Sequence, residues 1–271
     1  MKRVFFNKRN LTIFVMVVIT ILFVSENQKS NSVEPYKDPV AYPLVAHAGG
    51  TIYGFRYTNS LEAIEESYNN GFRFIELDFE WTKDDEVVII HDWDSMVQRL
   101  FKTAPGVLMW KEFKSAKIFQ DLTLMDLDDL AAWLEKRNDA YIITDAKKGN
   151  LKFLEYVKEK YRHIQWQIIP QIYSFEEYSQ VKKMGYNNII LTLYRLHNNN
   201  NEIVNFVRDN PVFAVTMPIE LGYTELPVRL EEVNIPTYVH TVNDLYIFEE
   251  LNKNGVFGIY TDYFQPDHWI D

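Results

Sequence analysis

FRFIELDFEWTKDDEVVIIH, residues 72–91, holds two runs of β-branched and aromatic residues, FRFIELDF at 72–79 and EVVIIH at 86–91, joined by the short polar link WTKDDE. Parallel neighbours need a crossover of about a dozen residues or more, so no helix fits in that link and the two runs form a hairpin. Runs of the same kind recur: PLVAH at 43–47, YIITD at 141–145, WQIIPQI at 166–172, NIILTLY at 188–194, VFAVTM at 212–217, PTYVH at 236–240 and FGIYTD at 257–262. Helix-patterned segments lie between most of them, at 59–70, 123–136, 151–161, 174–184 and 243–252. Strand and helix in alternation predict a parallel sheet under helical cover. Setting 86–91 aside as the hairpin arm leaves eight strands. That count predicts an α/β fold of the (β/α)8 TIM-barrel class, with a short hairpin extension after the second strand and functional groups at the C-terminal strand ends. A doubly wound open sheet is the competing arrangement, but HAGG after the first strand lacks the spacing of a dinucleotide-binding turn.

Composition agrees with one barrel-sized domain over residues 41–271. Of 271 residues 47% are hydrophobic and 24% charged, with 10 Gly and 10 Pro, which excludes wholesale disorder and a collagen-like chain. The absence of cysteine removes disulfides, thiolate nucleophiles and Cys-ligated metal centres, so any metal must sit on oxygen or imidazole. Lys2, Arg3, Lys8 and Arg9 have no acid among them; without these four cations the formal charge of −10 becomes −14 for the remaining chain. A body so acidic argues against nucleic acid as a partner.

The apolar run LTIFVMVVITILFV, residues 11–24, follows those four basic residues. It reads as an N-terminal signal-anchor or signal peptide, and no small-x-small cleavage site precedes the polar stretch SENQKSNSVEP. Residues 25–40 read as a linker. The positive-inside tendency then places the N-terminus in the cytoplasm and the domain outside, anchored to the membrane, or secreted if the segment is cleaved.

Polar side chains stand where the apolar runs stop. His47 closes the first strand, Glu76 and Asp78 lie near the end of the second, His91 and Asp92 end the hairpin arm, and Asp145 ends the next strand with Lys147 two residues on. Residues two apart in a strand share a face, so Glu76 and Asp78 project together and repel each other unless a cation lies between them. A hard divalent ion resolves this, with Asp145 as a third oxygen ligand. His47 and His91 are suited to taking and giving a proton, the exchange needed for displacement at a phosphodiester. Lys147 and Arg56 are candidates for holding phosphate oxygens. The tail bearing His268 and Trp269 reads as a lid on the barrel bottom.

The ordered blocks VAHAGG, YTNSLEAIEESYNNGFRFIELDFEWTKDDEVVIIHDWD, IITDAKK, YVHTVND and GVFGIYTD resemble the glycerophosphodiester phosphodiesterase family, from about residue 44 to 263. The resemblance implies a TIM-barrel phosphodiesterase acting on glycerophosphodiesters or related phospholipid-headgroup or glycerol-phosphate substrates, dependent on Ca²⁺ or Mg²⁺. It implies His47 and His91 as the acid/base pair, Glu76 and Asp78 as metal ligands, Asp145 in place of a Glu, and Lys147 as the matching lysine. The chain also departs from the pattern. Ala48 stands where Arg is common, Tyr57-Thr58-Asn59-Ser60 replaces Pro-Glu-Asn-Thr while keeping Asn59, and His240 replaces a Trp in the pocket wall. Asn59 and His240 join Arg56 and Lys147 as candidate substrate-binding residues. Two other readings stay open: a metal-independent lyase in which Arg or Lys replaces the cation, and a barrel without turnover that serves as a binding module.

Overall fold

The computed structural model describes residues 41–266. The readings of residues 1–24, of the linker at 25–40 and of the tail with His268 and Trp269 fall outside the described residues. Among the described residues, no helix is long and apolar enough to cross a membrane.

Those residues hold nine strands: β1 Leu44–Ala46, β2 Phe74–Trp81, β3 Val87–Ile89, β4 Tyr141–Asp145, β5 Ile168–Ile172, β6 Ile190–Thr192, β7 Ala214–Pro218, β8 Thr237–His240 and β9 Gly258–Thr261. All but β3 run parallel, each bonded to its neighbours, and β1 pairs with both β2 and β9, which closes the sheet. The closed eight-stranded barrel and its hairpin match the expected (β/α)8 architecture. β2 performs two tasks along its length. Phe74–Asp78 pairs with Tyr141–Asp145 in the barrel wall, and Phe79–Trp81 pairs antiparallel with Val87–Ile89 in the hairpin above it. The strand therefore runs two residues past the end expected from the apolar run, because buried Glu80 occupies a strand position that sequence polarity disguises.

Side-chain alternation splits the core into two shells, as a period of two requires. One face of the strands fills the lumen with Val45, Phe74, Tyr141, Ile143, Ile169, Ile190, Ala214, Tyr238 and Tyr260. The other face, with Ile75, Leu77, Ile142, Leu191, Val215, Val239 and Ile259, packs on the helices. The α-helices of the described residues are α1 Leu61–Asn69, α2 Trp110–Ser115, α3 Leu127–Leu134, α4 Asn150–Lys160, α5 Phe175–Lys183, α6 Asn200–Asp209, α7 Ile219–Gly222, α8 Leu226–Glu231 and α9 Leu245–Lys253, of which α2 stands apart from this shell. Their starts follow capping chemistry: Ser60 accepts from Ala63 N–H, Asp126 from Asp129 N–H and Asp244 from Ile247 N–H. α3 starts four residues later than the Thr123 expected from the periodicity, because Leu124 and Asp126 bridge to Ser60 and Val88 as extended chain.

Residues between β3 and α3 form an element that the sequence reading did not anticipate. Trp93, Met96, Val97, Leu100, Phe113, Leu122 and Leu124 gather with Val88 and Ile90 into a separate apolar cluster on the hairpin. This lid carries α2 and a single π-helical turn, Val97–Phe101. It supports the loop after β1 from behind, with the Tyr57 ring packed against its edge.

Candidate active site

Above the apolar lumen, the strand ends enclose a cavity of about 240 Å³ lined by His47, Tyr57, Glu76, Asp78, His91, Asp145, Lys147, Gln171, Tyr194, His240, Thr241 and Tyr260. Seven of the nine residues singled out from the sequence therefore line one space. The parallel register explains the convergence on the acidic side, since Asp78 and Asp145 are directly paired across β2 and β4 and Glu76 lies two residues below Asp78.

Glu76, Asp78 and Asp145 are buried, and one oxygen from each lies within 4.8 Å of the others. Lys147 Nζ reaches Asp78 Oδ1 at 2.7 Å and Asp145 Oδ2 at 3.0 Å. Glu76, which faces the His47 imidazole, has no lysine or arginine against it among the described residues. Its Oε2 accepts the Ala48 N–H at 2.8 Å, which the left-handed Ala48 backbone (φ 49°) and the following Gly49 (φ 83°) turn toward it. Burial, and then the charge of Asp78, push the Glu76 carboxyl up to about 8. Burial acts in the same sense on Asp78, but Lys147, His91 and hydrogen bonds from Lys147 and Asn59 outweigh it and hold that carboxyl below its ordinary range. Lys147 is desolvated too, yet Asp78 and Asp145 lift its pKa above the ordinary 10.5. Three buried oxygen donors with one carboxylate left uncompensated suit a hard divalent cation, which Glu76, Asp78 and Asp145 would hold.

Asp145, one methylene shorter than the Glu expected from the resemblance, is braced from the far wall. The Tyr173 hydroxyl donates to its Oδ1, and the Tyr194 hydroxyl lies 3.1 Å from the same atom. Arg195 lies over both tyrosine rings and donates to the Lys147 carbonyl at 2.7 Å.

The two imidazoles are anchored alike. His47 Nδ1 lies 2.9 Å from Asp262 Oδ1, and His91 Nδ1 lies 2.7 Å from Asp92 Oδ2. Asn243 fixes Asp262 in turn, donating to its Oδ2 at 2.7 Å and accepting its N–H at 2.7 Å. Asp92 also accepts from the Ser95 hydroxyl and from backbone N–H groups that follow it. Burial opposes a charged His47, but the hydrogen bond to Asp262 and the charges of Glu76, Asp262 and Asp78 prevail and raise its pKa above 6.5. His47 Nε2 faces Glu76 Oε2 at 4.0 Å. Such a pair can take a proton on one side of a reacting group and return one on the other.

His240 also reaches the cavity, with its buried Nε2 lacking a hydrogen-bond partner. Burial, and then the proximity of His47, push its pKa down to about 4, so it is neutral at pH 7. Arg56 and Asn59 are placed differently from the expectation. Arg56 is half-exposed, outside the lining, with Nη1 3.4 Å from Asp262 Oδ2. Asn59 is fully buried and grips Asp78, donating to Oδ2 at 3.0 Å and accepting its N–H at 3.1 Å. The Asn59 amide is thus engaged by the neighbouring strand, where it braces Asp78. Among the described residues no arginine lines the cavity, and Lys147 is the cation there.

Asp262, Tyr57, Gln171, Tyr194, Thr241 and Tyr260 were missed from the sequence. A signal existed for Asp262, since FGIYTD stops at an acid as YIITD does.

Residues 48–265 match the model of the Glycerophosphoryl diester phosphodiesterase family. Among solved structures, the chain is similar to a glycerophosphodiester phosphodiesterase from Thermotoga maritima, with 21% identity, a TM-score of 0.63 and coverage of 82% of this chain and 95% of that one. A glycerophosphodiester phosphodiesterase from Parabacteroides distasonis shows 15% identity and a TM-score of 0.65, over 81% of this chain and 92% of its own. An Oleispira antarctica phosphodiesterase in complex with the product sn-glycerol-3-phosphate shows 13% identity and a TM-score of 0.64, over 82% and 93%. At these identities the solved structures speak for the fold, and the family match, spanning most of the chain, speaks for the enzyme class. The chain belongs to the glycerophosphoryl diester phosphodiesterase family and is a phosphoric diester hydrolase.

Proposed function

We propose that this enzyme cleaves glycerophosphodiesters, or related phospholipid-headgroup or glycerol-phosphate diesters, by proton transfer through His47 and His91. The observation that carries the reading is the meeting of two carboxylate-anchored imidazoles and three buried carboxylates in one cavity. One imidazole Nε2 takes the proton of the attacking hydroxyl or water, and the other protonates the leaving alkoxide. Asp262 and Asp92 hold the Nδ1 sides, so that each ring presents Nε2. Glu76, Asp78 and Asp145 would hold a divalent cation, which when bound offsets negative charge developing on the phosphate oxygens. Lys147 holds Asp78 and Asp145 in place, and its charge favours the ionised form of Asp78. The product in the Oleispira structure supports sn-glycerol-3-phosphate as the expected product of a glycerophosphodiester.

Lys147 favours one second reading. Its ammonium already lies on two of the three carboxylates, as a built-in cation would in a metal-independent lyase that releases a cyclic phosphate. Phosphorus NMR of the purified full chain with a panel of glycerophosphodiesters separates the two. The proposed hydrolase yields a phosphate monoester and stops on chelation; a cyclic phosphate formed in the presence of chelator would establish the lyase. The apolar run at 11–24 and the basic residues before it support an extracytoplasmic, membrane-anchored barrel. Protease treatment of intact cells tests this, with degradation of the barrel expected and full protection contradicting it.

A further inference from the structure

The hydrogen bonds of His47 and His91 all meet one ring atom, Nδ1, from Asp262 at 2.9 Å and Thr241 at 3.5 Å for His47 and from Asp92 at 2.7 Å for His91. Anchorage at a single atom leaves a ring free to rock about it. The second restraint on both rings comes from one residue. The Tyr57 ring lies 4.8 Å from His47 at an interplanar angle of 81°, and 5.1 Å from His91 at 81°. Edge-to-face contact between π-systems is directional, so it fixes the plane of a ring as well as its distance. The Tyr57 ring lines the same cavity as both imidazoles. Behind it stands the apolar lid, against which Tyr57 packs, so the ring is itself supported. Tyr57 stands at the proline position of the Pro-Glu-Asn-Thr pattern, and a proline has no aromatic edge to offer.

We propose that Tyr57 is a positioning residue, an aromatic wedge that sets the planes of His47 and His91 together so that both Nε2 atoms address one phosphodiester. The inference rests on the acid–base reading above. Displacement at phosphorus needs both proton transfers aligned in the same transition state, and a small misplacement of either group slows that step more than it weakens binding. The wedge therefore acts on kcat.

Two measurements on the purified full chain test it. In NMR spectra of wild-type protein labelled at Tyr and His, Tyr57 ring protons are expected to show cross-peaks to carbon-bound protons of both imidazoles. In kinetics on a glycerophosphodiester, Tyr57→Leu keeps apolar bulk against the lid but loses the ring, and kcat should fall about tenfold with KM nearly unchanged. Tyr57→Phe should restore most of that loss. Cross-peaks to only one imidazole, a Tyr57→Leu variant with wild-type kcat, or a Tyr57→Phe variant as impaired as Tyr57→Leu would each overturn the wedge. If the wild type cleaves no glycerophosphodiester, the acid–base reading falls, and the cross-peaks alone decide whether the wedge exists.

Discussion

The two sides of the barrel mouth are built from different chemistry. On the side of β9, β1, β2 and β4 stand His47, Glu76, Asp78, Asp145 and Lys147, with His91 from the hairpin and Asp262 behind. On the side of β5 to β8 stand Gln171, Tyr194, His240 and Thr241, all uncharged at neutral pH. The charged side holds three carboxylates against one lysine, and Glu76 is left at a pKa of about 8. Such crowding opposes folding and persists only where another ligand or task requires it. The neutral side has the opposite character. It offers His240 Nε2, buried with no hydrogen-bond partner among the described residues, and it braces the charged side through Tyr194 and Asp145. In the proposed mechanism one side reacts and the other holds.

Substitutions on the charged side should therefore remove activity and spare the fold. His91→Ala is expected to lower kcat about a thousandfold, the usual scale for a general acid or base. Its melting temperature should stay close to wild type, because the ring lies at the mouth with its side chain 32% exposed. Thermal melts with parallel kinetics check both halves of this statement; wild-type turnover in His91→Ala would erase the distinction between the sides.

A neutral-side change should weaken the reaction without ending it. Tyr194→Phe removes one donor to Asp145 while Tyr173 keeps its own, so kcat should fall about tenfold, the scale of one hydrogen bond to a charged group. A loss as large as that of His91→Ala would show that the two sides act as one unit.

The smallest expected effect lies outside both sides and serves as a control. Asp126 caps α3. Burial opposes its charge, but the Asp129 N–H, Lys114 and Trp110 outweigh it and hold the carboxyl below 3.8. Its contribution is thus complete above pH 3.8 and fades as pH falls through the lower folded value. Denaturant titration of Asp126→Ala should show a loss of about 1 kcal/mol at pH 7, shrinking below pH 3.8, with kcat unaffected at neutral pH.

The same division explains what could be read from the sequence. An acid or a histidine at the end of an apolar run has few reasons to be there, so Glu76, Asp78, His91 and Asp145 stood out, as did the eight barrel strands. Tyr57 and Tyr194 carried no comparable mark, because tyrosine is also ordinary core material here, as Tyr141, Tyr238 and Tyr260 in the lumen show. Asn59 looked like a substrate contact because its place in a loop does not reveal that its amide is spent on Asp78. The lid escaped notice for another reason. Its helix spans only Trp110–Ser115 and its other turn only Val97–Phe101, too short for a period to register, and their cohesion draws on Ile52 and Ala63, far back along the chain.

If Glu76, Asp78 and Asp145 grip one divalent ion beside His47 and His91, binding of that ion must stabilise the fold. The measurement is the melting temperature of the purified full chain, stripped by chelator and then titrated with Ca²⁺ or Mg²⁺, for wild type and for Glu76→Gln. Wild type should gain stability with added ion, about 2.7 kcal/mol at a hundred times Kd, while Glu76→Gln stays flat. Equal curves for the two proteins, or no response in wild type, would contradict it.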